Sequence, residues 1–167
     1  MIYLFIVSTL SELKKLRINL RIITEAGSCT IMYIMNSIFK ANDIRGIYPE
    51  ELNEDIVSGI GSSLGDYFGK KSVLIAGHDA RLSSPKLYKA LMGILKSKKL
   101  KVIDAGLMTT PMLYFLVSKY KAKGGIMVTA SHNPKQYNGL KIVKAGARPV
   151  SGIEIGELMV KNKKAEI

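Results

Sequence analysis

The chain is poor in cysteine, and this shortage limits both its chemistry and its compartment. Its one cysteine, Cys29, has no second thiol to pair with among the 167 residues, so an internal disulfide is excluded. A single thiol also provides no cysteine-based metal site. Unpaired cysteines are typical of reducing compartments, and we therefore expect a cytoplasmic protein in which Cys29 is buried or incidental.

Acidic residues are also scarce, since 13 aspartates and glutamates stand against 25 lysines and arginines and leave a net charge of +12. Such a charge is one sign of nucleic-acid binding, but no recognised nucleic-acid motif or interleaved aromatic platform accompanies it. A solvated basic surface is the favoured interpretation, because many lysines fall near candidate helix ends, where cations suit the helix dipole. These are Lys96, Lys98, Lys99, Lys101, Lys161, Lys163 and Lys164. We expect no nucleic-acid partner.

No apolar run in the chain has the length of a membrane span. Residues 1–10 are apolar but have only about half the required length, and residues 11–21 form a short amphipathic stretch. No basic leader or convincing cleavage site accompanies them. The simplest hypothesis for residues 1–36 is an atypical extension from a mis-called start, with translation beginning at Met32 or Met35. A membrane-surface helix is the alternative, and no membrane partner is expected.

The remaining residues, 37–167, have the length of one domain of ordinary size. Apolar runs at 73–76, 101–104, 126–129 and 140–143 predict strands. Stretches with apolar residues at helical spacing lie between them. Their candidate first residues or caps are Asn53, Ser84 with Pro85, Thr110 with Pro111, and Ser151 with Glu154. This alternation predicts the α/β class, as a three-layer α/β/α sandwich with a mostly parallel mixed sheet.

The most informative stretch is Thr-Ala-Ser-His-Asn-Pro at residues 129–134, which follows an apolar run directly. The abrupt change places the side chains of Ser131, His132 and Asn133 at the end of a strand, where open α/β sheets build their sites. A hydrolase dyad of Ser131 and His132 is not expected. Adjacent side chains on an extended loop point apart, and no Gly-x-Ser-x-Gly turn occurs.

This stretch resembles the active-site loop of the α-D-phosphohexomutases, the phosphoglucomutase and phosphomannomutase family. Three other segments resemble landmarks of that family, in the family's order: residues 37–49, which contain Asp-Ile-Arg-Gly, residues 77–85, and residues 104–111. Four ordered landmarks are more specific than any single motif. The resemblance implies that residues 37–167 form the α/β/α domain I of a phosphohexomutase.

Only the first of the family's four domains is covered by the resemblance, so domains II–IV are expected to be absent from this sequence. The missing features include the aspartate-rich metal loop, since no Asp-x-Asp-x-Asp occurs, together with the sugar-selecting and terminal phosphate-binding loops. Two positions depart from the family pattern. Asn42 stands where tyrosine is usual, and His78 stands where arginine is usual.

The family's catalytic residues can be carried over one at a time. Ser131 would carry the phosphoryl group as a phosphoserine and bind Mg²⁺ through its phosphate, with His132 and Asn133 beside it. Lys141, in Asn-Gly-x-Lys, would bind the transferring group and shuttle a proton. Arg45 would bind phosphate oxygens and share the acid/base work. The segment around Asp79 and Arg81 is expected to be a structural network.

The activity implied is that of an intramolecular phosphotransferase, which interconverts hexose 1-phosphate and hexose 6-phosphate. Its implied cofactors are Mg²⁺, whose site is incomplete here, and a hexose 1,6-bisphosphate that phosphorylates the serine. We expect the chain to be inactive alone and to need a partner chain carrying domains II–IV. The alternatives are a non-catalytic sugar-phosphate binding module and a truncated fragment. Apolar residues of the last helix should be partly uncovered, namely Ile153, Ile155, Leu158 and Met159.

Overall fold

A computed structural model describes residues 38–165 of the chain, with side chains up to residue 162. The expected extension at residues 1–36 lies outside the described residues. The elements follow in the order β1 (Ile44–Ile47), α1 (Glu54–Phe68), β2 (Val73–His78), α2 (Ser84–Ser97), β3 (Lys101–Leu107), α3 (Thr110–Lys119), β4 (Gly124–Val128), β5 (Tyr137–Lys144), a 3₁₀ turn (Ala145–Ala147), β6 (Arg148–Val150) and α4 (Gly152–Ala165). The predicted alternation of strands and helices is confirmed.

The strands form one six-stranded mixed sheet in the order β1-β5-β4-β2-β3, with β6 also paired to β5. Strand β2 is parallel to β3 and β4, whereas β5 is antiparallel to β1, β4 and β6. Strand β5 is therefore the one strand of this sheet that runs in the reverse direction. The short loop between β4 and β5 contains no crossover helix, which a parallel return would require. The predicted α/β class and mostly parallel mixed sheet are confirmed.

Successive residues of the central strands point to opposite faces of the sheet, as the pleat requires, and each face has its own core. On one face, Leu74 and Ile126 pack with residues of α1 and α2. On the other face, Ile75 and Met127 pack with residues of α3. Helix α4 also packs against α1. The helices thus cover both faces, and the predicted three layers are present.

Local capping chemistry explains where two of the helices begin. Asn53 caps α1, since its side chain accepts a hydrogen bond from the backbone N–H of Ile56 at 3.1 Å. Before α4, the Ser151 hydroxyl accepts from the backbone N–H of Glu154 at 3.0 Å. The Glu154 carboxylate accepts instead from the Tyr67 hydroxyl, at 3.1 Å. Both predicted caps are confirmed, although Glu154 does not complete a reciprocal capping box.

The predicted cap of α2 was wrong by one residue. Ser83 is the N-cap, and Ser84 is the first residue of the helix. The Ser84 hydroxyl donates to the Asp79 carboxylate at 2.5 Å, so a tertiary contact rather than a local cap occupies this side chain.

The apolar side chains of α4 are only partly uncovered. Ile153 is 53% exposed, as predicted for this helix, but Ile155 is fully buried in the core. The prediction for Ile155 was wrong because the residue lies on the side of α4 that packs onto the core cluster beside α1. Of the helices in the described range, none combines the length and the apolar character needed to cross a membrane.

Candidate active site at the end of strand β4

Ser131 stands three residues beyond the end of β4, on a loop whose backbone is firmly bonded. It is exposed to solvent and has a left-handed backbone conformation, with φ of 56°. Its N–H donates to the Thr129 hydroxyl at 2.9 Å, and the Thr129 N–H donates to the Gly139 carbonyl at 2.9 Å. A left-handed non-glycine residue costs about 1–2 kcal/mol, so surrounding bonds must hold this conformation.

Arg81 supplies most of those bonds. Its Nη2 donates to the carbonyl oxygens of Ser131 at 2.9 Å and Asn133 at 2.6 Å. Its Nη1 donates to those of Pro134 at 2.8 Å and Tyr137 at 3.0 Å. These four carbonyls lie 50 to 56 residues away along the chain, so the partners of Arg81 could not be predicted from the local sequence.

Asp79 holds Arg81 in turn. Its carboxylate accepts from Arg81 Nε at 3.2 Å and from the Arg81 backbone N–H at 3.1 Å. Asp79 and Arg81 thus form the structural network expected of this segment. The network continues through the amide of Asn138, which donates to the hydroxyls of Ser83 at 2.7 Å and Ser84 at 3.0 Å. The exits of β2 and β4 and the start of α2 are therefore tied together.

The neighbouring residue His132 approaches the serine directly. Its Nδ1 lies 3.3 Å from Ser131 Oγ, so the prediction that these two side chains point apart was wrong. That prediction assumed an extended loop, whereas the left-handed turn at Ser131 brings the imidazole back towards the hydroxyl. In the described part of the chain no carboxylate bonds to His132, so the arrangement lacks the third member of a hydrolase triad.

The loop between β4 and β5, residues 129–136, is called the serine loop below. Arg45 is the cation that contacts this loop from β1. Its Nη1 donates to Asn133 Oδ1 at 3.2 Å, and its Nη2 forms an ion pair with Asp43 at 2.6 Å. Asn133 also donates from Nδ2 to the Ala130 carbonyl at 2.7 Å. The Nε of Arg45 is buried and has no hydrogen-bond partner within the described residues. Only two of the five N–H donors of this guanidinium are bonded within the described residues, and its side chain is 29% exposed, so part of the group remains for a ligand.

Lys141 lies on the same face of the sheet as Arg45, without touching it. It is paired with Met127 across β4 and β5, and Met127 belongs to the core beneath α3. Arg45 pairs with Gly139, two residues before Lys141, which gives a diagonal separation of about 7–8 Å between the two backbones. Among the described residues, the Lys141 ammonium makes no hydrogen bond or ion pair.

Gly139 allows these strands and the serine loop to approach one another. A Cβ at this position would lie 2.1 Å from the Ile44 carbonyl oxygen and 2.9 Å from that of Thr129. Both neighbours are backbone atoms, which cannot move aside as a flexible side chain can. A glycine is needed here for space rather than for a special backbone conformation.

The described residues do not by themselves fit a Mg²⁺ ion. They contain no group of three or more histidine, cysteine, aspartate or glutamate side chains placed to bind a metal. Of the carboxylates nearest the serine loop, Asp43 is paired with Arg45 and Asp79 with Arg81. Mg²⁺ prefers six oxygen ligands, and this edge of the sheet lacks such a set.

Comparison with known proteins identifies relatives of this chain. Residues 36–165 match the family described as phosphoglucomutase/phosphomannomutase, alpha/beta/alpha domain I. A Xanthomonas campestris protein named "Phosphohexose mutases" is 50% identical over 113 residues, which cover 68% of this chain and 25% of that protein. A phosphomannomutase of Salmonella typhimurium is 49% identical over 114 residues, with the same two coverages of 68% and 25%.

A solved structure shows the same fold. The phosphoglucomutase/phosphomannomutase family protein of Burkholderia thailandensis has a TM-score of 0.67 and 34% identity, over 78% of this chain and 30% of that one. The chain spans about a quarter of the length of the curated relatives it matches. The match at residues 36–165 includes β1, the Asp79–Arg81 network and the serine loop. The chain therefore belongs to the phosphoglucomutase/phosphomannomutase family and contains its α/β/α domain I.

Proposed function

We propose that the chain supplies the phosphoserine-bearing first domain of an intramolecular phosphotransferase that interconverts hexose 1-phosphate and hexose 6-phosphate. The observation that carries the proposal is the presentation of Ser131. Its hydroxyl is exposed at the end of β4, on a backbone held by Arg81 and Thr129. Arg45 reaches the same loop through Asn133. A fixed nucleophile beside a cation is what reversible phosphoryl transfer requires.

In the transfer step the bond between Ser131 Oγ and phosphorus breaks, and a sugar hydroxyl forms the new bond to phosphorus. The Oγ atom keeps the electron pair of the broken bond and takes up a proton, which His132 is placed to donate, while the sugar hydroxyl loses its proton to a base. The return step reverses these changes at the other hydroxyl of the hexose. In that step the Ser131 hydroxyl loses its own proton, and His132 Nδ1, 3.3 Å away, is placed to accept it.

The two cations have different parts in this proposal. Arg45 binds phosphate oxygens through N–H groups that have no partner in the described residues, on a side chain that is 29% exposed. Lys141, on the same sheet face, stabilises the charge on the transferring group and exchanges a proton with the sugar hydroxyl. Asn133 positions Arg45 through its side-chain oxygen. Each role extends an expectation drawn from the family resemblance.

The cofactors of the proposed reaction are Mg²⁺ and a hexose 1,6-bisphosphate. Ser131 would contribute one ligand to Mg²⁺ through its phosphate, and the ion would neutralise charge on that phosphate. The other ligands would come from outside the described residues, which hold no suitable cluster. The bisphosphate would donate the first phosphoryl group to Ser131. We place the reaction in the cytoplasm.

The remaining part of the site is proposed to come from a protein carrying domains II–IV, since the chain spans about a quarter of its relatives' length. The isolated chain is then expected to show no mutase turnover and only weak affinity for Mg²⁺. The substrate class is a hexose phosphate.

Mapping the phosphorylated residue tests the proposal. The chain would be mixed with domains II–IV of a homologous phosphomannomutase and a hexose 1,6-bisphosphate, then analysed by intact mass and peptide mapping. We expect one phosphate, on Ser131, and its loss in Ser131→Ala. Ser118→Ala, which removes another exposed serine, should leave the phosphate in place. Phosphate on Ser83 or Ser84 instead would refute the assignment.

A second candidate function is a non-catalytic sugar-phosphate binding module. It is favoured by one observation, that cations suited to phosphate stand near a loop without a metal-binding carboxylate cluster in the described residues. Calorimetry with hexose 1-phosphate would distinguish the two. Binding by the isolated chain that is unaffected by domains II–IV, with no phosphate reaching Ser131, would favour the binding module.

A further inference from the structure

We infer that Arg81 is a positioning residue, which sets the conformation of the serine loop so that Ser131 can receive and return a phosphoryl group. Arginine has five N–H donors, and all five have partners here. One N–H, on Nε, bonds to Asp79, and the four on Nη1 and Nη2 bond to carbonyl oxygens of the loop between Ser131 and Tyr137.

The positions of those carbonyls explain why the contact controls the serine. They belong to Ser131 itself, to Asn133 and Pro134 in the middle of the loop, and to Tyr137 at the start of β5. One planar group thus crosslinks the loop from its nucleophile to its end. The Ser131 carbonyl can accept from Arg81 because the residue has a left-handed backbone conformation, and the bond in turn stabilises that conformation.

Saturation of the guanidinium also separates Arg81 from the proposed substrate cations. Arg81 is mostly buried, with 14% of its side chain exposed, and it has no donor left for a phosphate. Arg45 makes two side-chain hydrogen bonds within the described residues, so donors of its half-buried guanidinium remain for a phosphate. Arg81 therefore acts through the loop, whereas Arg45 is placed to act on the phosphate.

Asp79 makes the positioning rigid. It accepts from Arg81 at both Nε and the backbone N–H, and its Oδ1 also accepts from the Ser84 hydroxyl in α2. One edge of the guanidinium is therefore fixed to the exit of β2, and its other N–H groups contact the serine loop beyond β4. Lysine cannot replace this arrangement, because an ammonium has three donors at one point rather than a planar fork.

The first experiment measures loop order in the isolated chain and does not depend on the proposed function. Amide hydrogen exchange of residues 129–137 would be followed by mass spectrometry in wild type, Arg81→Lys and Arg81→Ala. We expect exchange in this segment to rise about tenfold or more, with β2 and β4 unchanged. Arg148→Lys is the matched control, since the one side-chain hydrogen bond of Arg148 within the described residues goes to its own turn, at the Ala145 carbonyl.

Chemical rescue distinguishes positioning from general stabilisation. Millimolar guanidinium chloride should slow exchange of residues 129–137 in Arg81→Ala, whereas the same concentration of sodium chloride should not. If Arg81→Ala fails to fold, exchange of residues 129–137 in Arg81→Lys tests the inference instead. Exchange that is unchanged in the loop, or that rises equally throughout the chain, would overturn the inference.

The second experiment rests on the proposed function and measures turnover with domains II–IV supplied. For Arg81→Lys we expect kcat to fall about 100-fold, with KM for hexose 1-phosphate within about threefold of wild type. An increase in KM at constant kcat would overturn the positioning role. If wild type itself shows no turnover while loop exchange responds to Arg81, the proposed function fails and the control of loop conformation by Arg81 stands.

Discussion

Arg45 and Asn133 lie 88 residues apart in the sequence, yet Arg45 Nη1 donates to Asn133 Oδ1 at 3.2 Å. The same guanidinium is paired with Asp43 at 2.6 Å. The start of the first strand and the loop bearing the proposed nucleophile are thus joined through one side chain. Its planar fork fixes the direction in which its remaining N–H donors can meet a ligand.

Arg45→Lys should slow phosphorylation of Ser131 about 10- to 100-fold in the presence of domains II–IV. Lysine keeps the charge but cannot bond to Asp43, Asn133 and a phosphate together in the same geometry. Stability should change by less than about 1 kcal/mol, because the pair is partly exposed. Rapid-quench kinetics would measure the rate, with Arg148→Lys as the control. Equal rates for wild type and Arg45→Lys would count against the role of the fork.

Gly139→Ala should destabilise the domain by about 3 kcal/mol or more, since its Cβ would meet two backbone carbonyl oxygens. Gly93→Ala is the matched control. Nothing lies within 4 Å of a Cβ at Gly93, and alanine in the interior of α2 should stabilise by about 0.5–1 kcal/mol. Urea denaturation would measure both. A loss below 1 kcal/mol for Gly139→Ala would show that β1 and the loop can separate easily.

Tyr88→Phe should alter the titration of Asp104. The Tyr88 hydroxyl donates to Asp104 at 2.6 Å and to the Ala76 carbonyl at 3.0 Å. The bond from Tyr88 holds the pKa of Asp104 below its ordinary value, and burial raises the pKa of Tyr88. In the variant the pKa of Asp104 should rise towards its ordinary value, which carboxyl NMR titration would detect. Tyr120→Phe, at an exposed position, should leave it unchanged.

The pH dependence of stability follows from the lowered pKa of Asp104. A carboxyl whose folded pKa is depressed contributes stability above its unfolded value, about pH 4, and loses it as the pH falls through the folded value. Tyr88→Phe should thus cost more stability at pH 7 than at acid pH, and the difference should be well below about 1 kcal/mol because Asp104 is exposed to solvent. Urea denaturation at both ends of this range would check it. The same loss at every pH would exclude coupling between the two groups.

Lys99→Gly should stabilise the domain by about 0.5–1 kcal/mol. Lys99 follows α2 in a left-handed conformation, with φ of 62°, which glycine adopts without strain. Lys89→Gly lies in the interior of α2, at an exposed position, and removes the same charge, and it should destabilise by a similar amount. Thermal unfolding would compare the two variants. A lower melting temperature for Lys99→Gly would show that other contacts of the lysine outweigh the backbone strain.

The isolated chain should self-associate weakly through the uncovered side of α4. Ile153 is 53% exposed and Val160 is 37% exposed, and exposed apolar groups of this kind favour association. Ile153→Lys should reduce the association measured by light scattering over a dilution series. Glu157→Gln makes the same change in net charge and should not reduce it. Association that falls equally in both variants would indicate charge repulsion rather than apolar contact.

Local sequence patterns were enough to predict the class of fold, the order of most elements and the position of the proposed nucleophile. Local patterns were enough because they set the backbone preference of each segment. Examples are the helical spacing of apolar residues, the cap at Asn53 and the apolar run before Ser131. The four ordered landmarks predicted the phosphoglucomutase/phosphomannomutase family. The reversed strand β5, Tyr137–Lys144, contains the predicted segment 140–143 and begins three residues before it.

Only the three-dimensional arrangement shows which side chains hold the serine loop and which groups face it. The bonds from Arg81 to the carbonyls of Ser131 and Pro134 cannot be predicted from the sequence around either partner. They form because the fold brings together residues that are 50 or more positions apart. The same holds for the contact of His132 with Ser131, for the use of Ser84 as a donor to Asp79, and for the burial of Ile155. Spacing along one segment predicts backbone conformation, whereas partners across the sheet depend on strand order, and no single segment contains that information.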